Sequence, residues 1–263
     1  MIDKTVYLDA LTLVAPGIET EDQLHVALQS TEIPDFPLDW KPAPDSIASR
    51  VRRRYSPQTL LAILVADKIA PALTDRAAWV FGSAFGEGET LKIILDALCT
   101  PNMAIRPTRF QNSVHNAASG QWTIAQSIRT AATSICGGDC TVGSSLLKAF
   151  LQVQLEDRPV GVVLFDVPLP YPLNASHKAT VPAGAGFALS PRKGPKTIAA
   201  IEYSLCDTAN TKVCSSFAQT ALTTDNPVFA VLPLIECLYG LNETDVVLDL
   251  NGGQALKLKV RRN

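Results

Sequence analysis

The run Val160-Gly161-Val162-Val163-Leu164-Phe165 constrains this chain more than any other feature. It is apolar throughout, too short for a typical helix, and shows no alternating polar face. Such a segment is a strand buried on both sides, and strands of that kind need helices over both faces of their sheet. The sequence supplies the other elements in order. Thr5 to Leu8 reads as a strand, Ala15 to Gly17 as a turn and Glu21 to Gln29 as a short helix. Pro34, Pro37, Pro42 and Pro44 make Ile33 to Ser46 an extended connection. Ser56-Pro57 opens a helix in cap-then-N1 order, with Leu61, Val65, Ile69 and Ala72 on one stripe. Ala77 to Phe81 reads as a buried strand ending at Gly82. Leu91, Ile94, Leu95 and Leu98 give Glu89 to Leu98 the spacing with which a helix reaches a core.

Thr133 to Cys136 reads as a strand that feeds the turn Gly137-Gly138-Asp139. A helix follows, with Val142, Leu146, Phe150 and Val153 on one side. After the Val160 strand come two further strands, Ala183 to Leu189 and Thr197 to Tyr203. Pro227 to Leu238 reads as a helix despite Pro233. Val246 to Leu250, Asn251-Gly252-Gly253 and Leu256 to Val260 carry a hairpin signal. Alternating strands and helices favour one compact α/β unit.

Bulk properties exclude several classes. The 263 residues are 47% hydrophobic and 18% charged, with a net charge of −2, which argues against disorder and against a chain-wide nucleic-acid surface. No apolar stretch reaches the ~18 residues a membrane span needs. Six scattered cysteines do not make a disulfide framework, and Met1 to Leu13 does not have the pattern of a secretory signal. A reduced, cytoplasmic protein is the expectation. The histidines are isolated, and Cys136-x-x-x-Cys140 has no second ligand pair. Gly82 to Gly88 lacks the lysine and hydroxyl of a phosphate loop, so neither a metal nor a cofactor is expected.

Chemistry concentrates between Phe110 and Leu147. A strand entering a tight turn and then a helix can expose a nucleophile while the helix N-terminus lowers a thiol's pKa. Cys136 and Cys140 are the thiols so placed, and burial as an inert thiol is the alternative for each. Asn116 to Gly120, Thr123-Ile124 and Ile128-Arg129 together resemble the stretch before the active-site cysteine of β-ketoacyl synthases. With Ser113-Val114-His115-Asn116-Ala117 the run is similar to a short branch of that family, the chain-length factors of aryl polyene and type II polyketide gene clusters. The likeness spans roughly residues 1 to 203.

This resemblance implies the N-terminal half of a thiolase-like fold: a mixed, mostly parallel five-stranded sheet covered by helices. Residues 204–263 would then be a short helix-hairpin extension packing on the same domain. It further implies a subunit that pairs with a full-length β-ketoacyl synthase, served by an acyl carrier protein, in polyketide, aryl polyene or fatty-acid-type biosynthesis. The active family context is Cys-x-x-Gly-Leu. Gapless alignment from Gly120 puts that cysteine's position at Asp139, and alignment on Ser145-Leu146 puts it at Val142. Cys140 lies between the two without the following leucine. Condensation also requires two later histidines, or a histidine and an asparagine, to stabilise the enolate. Beyond residue 140 the sequence has one histidine, His177. The implied role is therefore non-catalytic, with an active short enzyme using Cys140, or a carrier-binding structural module, as alternatives.

By the same resemblance Thr133, Ser134, Ile135 and Cys136 would form the inter-subunit strand pairing. Phe110, Gln111, Val114 and His115, with Asn116 and Trp122 beside them, would meet the partner's acyl tunnel. Core packing is the competing role for Phe110 and Trp122, and structural hydrogen bonding for His115. Arg50, Arg52, Arg53 and Arg54 form the one basic run. It is either a solvated loop or a dock for an acidic carrier protein.

Overall fold

The computed structural model describes residues 5–30, 36–37, 39–175, 177, 179–207, 213–242 and 245–263. Pro34 of the proline-rich connection lies outside the described residues, and the described part of that connection has neither helix nor strand before Ser49. The strands are β1 (Thr5–Val14), β2 (Ala78–Gly82), β3 (Ala132–Ile135), β4 (Val160–Asp166), β5 (Ala183–Ser190), β6 (Ala199–Asp207), β7 (Val246–Asp249) and β8 (Gln254–Arg262). Between them lie α1 (Glu21–Gln29), α2 (Ser49–Arg52), α3 (Pro57–Ile69), α4 (Gly88–Cys99), α5 (Pro107–Gln111) and α6 (Ala117–Ala125). Further along come α7 (Thr141–Glu156), α8 (Ser216–Leu222) and α9 (Leu232–Leu238).

Local chemistry sets the helix starts. Thr20 and Gln23 close a capping box at α1, and Ser56 accepts a hydrogen bond from the Thr59 amide ahead of Pro57 in α3. Pro233 is tolerated because the expected single helix is two. A 3-10 turn covers Pro227–Val231, and α9 restarts with Pro233 in its first turn, where no backbone amide is needed.

Among the described residues the eight strands join one sheet in the order β3-β2-β4-β5-β1-β6-β8-β7. β2 runs parallel to β3 and β4; every other neighbouring pair is antiparallel. The expected mixed, mostly parallel five-stranded sheet is present as β3-β2-β4-β5-β1, in which β5 alone runs opposite to the rest, and β6, β8 and β7 extend it. Parallel neighbours need a crossover, which α4 to α6 supply between β2 and β3 and α7 supplies between β3 and β4. From β4 onward no long helix carries the chain back, so β5 returns antiparallel. The C-terminal hairpin does more than cover the domain: β8 pairs along the whole of β6, extending the sheet rather than packing beside it.

Alternation along β2 and β4 divides the core. Ala78, Val80, Val160, Val162 and Leu164 face α7, α1 and the C-terminal helices, while Trp79, Phe81, Val163 and Phe165 face α3 and α6. The result is a three-layer α/β/α arrangement in which β4 is buried along its full length, as its unbroken apolar run requires.

Candidate partner-facing edge and nucleophile-position turn

The turn that follows β2 is the hub of the site. Asp166, at the end of β4 and fully buried, accepts hydrogen bonds from Ser83 Oγ (2.7 Å), the Ala84 and Phe85 amides (2.9 and 3.1 Å) and Gln58 Nε2 (3.3 Å). Burial pushes its carboxyl up to about 6 although these donors pull it down. Gln58 completes the link by accepting from the Val167 amide. Glu87 is held in the same way by the Ser56, Thr59 and Thr90 hydroxyls, and burial raises its pKa too. Sequence reading missed both carboxylates. The available signal was an aspartate ending an apolar strand, where a buried charge must find donors.

Two of the expected residues, His115 and Cys136, meet this turn, and Ser134 is held beside it. His115 Nε2 donates to the Ser83 carbonyl (2.9 Å), a structural hydrogen bond that fixes which ring nitrogen carries the proton. Gly86 has φ +59, which favours glycine, and a Cβ there would press on the His115 ring at 3.2 Å. Cys136, exposed just past β3, contacts the Ala84 carbonyl at 3.5 Å. Ser134 shares a 2.9 Å hydrogen bond with Ser119 of α6, which anchors β3.

β3 is the edge of the sheet, and Thr133, Ser134 and Ile135 on it are half-buried. Phe110, Gln111, Val114 and Asn116 stand exposed beside it in sequence, Phe110 at 66% and Val114 at 47%. Trp122 does not: it is 2% exposed and packs edge-on against Trp79 at 5.4 Å in this chain's own core, with no surface to offer a partner. The helix expected to reach the core also differs. Of the four stripe residues of α4 only Ile94 is buried; Leu91, Leu95 and Leu98 are exposed among the described residues, a correction to the expectation that the stripe reaches the core.

The turn where a nucleophile would be presented runs Gly137 to Cys140, with Gly138 in the left-handed region at φ +57. Thr141 Oγ1 ties it, accepting from the Gly137 amide and donating to the Gly138 carbonyl. The two aligned positions and the thiol between them meet three different environments. Asp139 is an exposed carboxylate, and Val142 is a buried apolar side chain. Burial, then the charges of Asp249 and Asp139, push the Cys140 thiol up, the opposite of what an attacking thiolate needs. Asp249 belongs to β7, so the C-terminal hairpin reaches this turn. A Cβ at Gly143 would stand 2.4 Å from the Asp249 carbonyl oxygen, which restricts residue 143 to glycine.

The basic run divides. Arg52 Nε donates to the Ile47 carbonyl at 2.8 Å, and its guanidinium lies 4.0 Å from Asp45. Arg50 is exposed. Arg53 and Arg54 line a cavity of about 790 Å3 together with Arg106 and Arg109, two residues the sequence reading did not single out.

A sheet of this order with a strand-turn-helix at the nucleophile position defines the thiolase-like ketosynthase fold. The family model for the beta-ketoacyl synthase N-terminal domain matches residues 29–240, and the chain belongs to that family. Solved structures share the fold over nearly the whole chain. A chain from the ketosynthase ApeO in complex with its chain length factor ApeC, from Xenorhabdus doucetiae, matches with a TM-score of 0.73 at 19% identity, covering 97% of this chain and 99% of that one. The ishigamide ketosynthase/chain length factor matches at 0.69 and 13% identity, covering 98% and 99%. A beta-ketoacyl synthase from Burkholderia phymatum matches at 0.69 and 12%, covering 99% and 100%. No curated protein matches the sequence significantly. Among the described residues no helix is long and apolar enough to cross a membrane.

Proposed function

We propose that this chain is a non-catalytic chain-length-factor subunit that pairs with a full-length β-ketoacyl synthase and shapes the partner's acyl tunnel. Polyketide, aryl polyene or fatty-acid-type biosynthesis in the cytoplasm is the setting. The observation that carries the proposal is a contrast across one strand and its turn. At the turn, the nucleophile position holds a carboxylate, a thiol whose ionisation is suppressed, or a buried valine. On the strand side, β3 is the sheet edge, and Phe110, Gln111 and Val114 stand in solvent. Structures of ketosynthases with chain length factors that share this fold along their length support the reading.

In this role Thr133 to Cys136 pair with the equivalent strand of the ketosynthase. Phe110, Val114 and Gln111 close the end of its tunnel, with His115 and Asn116 holding the loop behind them. The exposed Arg50, Arg53 and Arg54 receive an acidic acyl carrier protein by charge steering. Residues 1–203 form the ketosynthase-like half, and residues 204–263 extend it. An active short synthase using Cys140 is the weaker reading, because burial, and then Asp249 and Asp139, oppose its thiolate.

Co-expression with a full-length ketosynthase tests the proposal. The expected result is a heterodimer whose Phe110→Ala form makes longer products, since a smaller side chain enlarges the tunnel. A chain that stays monodisperse alone and ignores the ketosynthase would overturn the pairing. Unchanged product length in the Phe110→Ala complex would overturn the tunnel role, and an acyl adduct on Cys140 would revive the catalytic alternative.

A further inference from the structure

We propose that the arginine-lined cavity binds the diphosphate group of a small organic molecule. It is an open recess of about 790 Å3 between the α2–α3 link, the first turns of α4, and α5. That is within the range of about 300–1,000 Å3 typical of small-ligand sites. Arg53 and Arg54 line it from the α2–α3 link and Arg106 and Arg109 from α5, while Glu89 is the only carboxylate among the lining residues. None of the four guanidinium groups makes an ion pair or side-chain hydrogen bond with another described residue.

Four like charges around one recess repel one another until an anion arrives. A guanidinium presents a planar fork that fits two phosphate oxygens at once, so this side-chain type selects phosphate as well as charge. With Glu89 counted, the lining carries a net charge of three, which a diphosphate matches better than a single carboxylate. Half-buried Tyr55 and Ile93 on the wall offer an aromatic and an apolar surface to the body that carries the diphosphate. Arg106 and Arg109 take no part in the carrier-docking reading, so they report on the cavity alone, and failure here leaves the pairing proposal untouched.

Titration calorimetry of the full chain with inorganic pyrophosphate, ADP and coenzyme A tests the site. The expected result is saturable one-to-one binding that weakens with salt, tighter for the two organic diphosphates than for pyrophosphate. Arg106→Ala and Arg109→Ala should each weaken it about ten-fold or more, the usual loss for one charge-assisted contact. Arg109→Lys, which keeps the charge but not the fork, should fall between Arg109→Ala and the unmodified protein. Arg192→Ala, whose guanidinium pairs with Asp157 outside the cavity, should change nothing. At a ligand concentration near the unmodified protein's Kd, hydrogen exchange should show residues 106–112 protected in that protein and much less protected in Arg106→Ala. No saturable heat with any of the three probes, or affinities unmoved by Arg106→Ala and Arg109→Ala, would overturn the site. Pyrophosphate binding as tightly as ADP and coenzyme A would remove the organic body from the proposal.

Discussion

α4 and α7 carry nearly the same message in sequence and meet opposite fates. Leu91, Ile94, Leu95 and Leu98 repeat at helical spacing, as do Val142, Leu146, Phe150 and Val153. The α7 stripe is buried, covered from this chain by α1, the C-terminal helices and the hairpin. Leu91, Leu95 and Leu98 of α4 are 42%, 42% and 69% exposed, close to α5 with its exposed Phe110. Periodicity announces an apolar face; what covers it depends on where the rest of the chain goes. The C-terminal extension is laid over α7 and the turn before it, whereas among the described residues the α4 leucines stay exposed.

The comparison can be broken by substitutions that treat the two stripes alike. Phe150→Ala should cost about 3–5 kcal/mol in denaturant unfolding of the isolated chain, because the cavity cannot close against β4 and Tyr203. A cost below about 1 kcal/mol would mean that the α7 face is not the packed one. Behind the same sheet, Asp166 should make stability depend on pH. Its folded pKa of about 6 lies above its ordinary 3.8, so the folded state holds the proton more tightly. Stability from this group is therefore greatest below pH ~4 and is withdrawn as pH rises to ~6, by about 3 kcal/mol from the linkage relation. Asp166→Asn should flatten that slope in urea titrations at a series of pH values.

Leu95→Asp should behave as the reverse of Phe150→Ala. The isolated chain should melt within about 0.5 kcal/mol of the parent, as surface substitutions do. Association with a ketosynthase should weaken by about 2 kcal/mol, the loss typical of a buried interface anchor. Equal affinity would show that the α4 stripe remains outside the interface. Gly143→Ala sharpens the contact between hairpin and turn. Its Cβ would meet the Asp249 carbonyl, and overpacking of this kind costs about 1–3 kcal/mol. The smallest effect is expected for Asp249→Asn, which removes one of the charges opposing the Cys140 thiolate. Alkylation of Cys140 near neutral pH should become a few-fold faster, as a lower thiol pKa raises the thiolate fraction.

Much was legible from the amino acids alone. The β4 run required a doubly covered strand. Ser56-Pro57 marked the start of α3, Asn251-Gly252-Gly253 marked the hairpin, and the residues from Phe110 to Leu147 carried the family. These signals are local: caps, turns and side-chain periodicity act within a few residues. Tertiary structure alone decided that the hairpin extends the sheet through β6 and that its Asp249 stands over the Cys140 turn. It also left the α4 leucines uncovered, turned Trp122 inward, and brought Arg106 and Arg109 to face Arg53 and Arg54. Each of these joins residues far apart in the chain, and a one-dimensional pattern carries no record of which distant segment will arrive. The turn after β3 shows both halves of the lesson. Its glycines could be read as a bend, but the environment of Cys140 is set by a strand more than a hundred residues later.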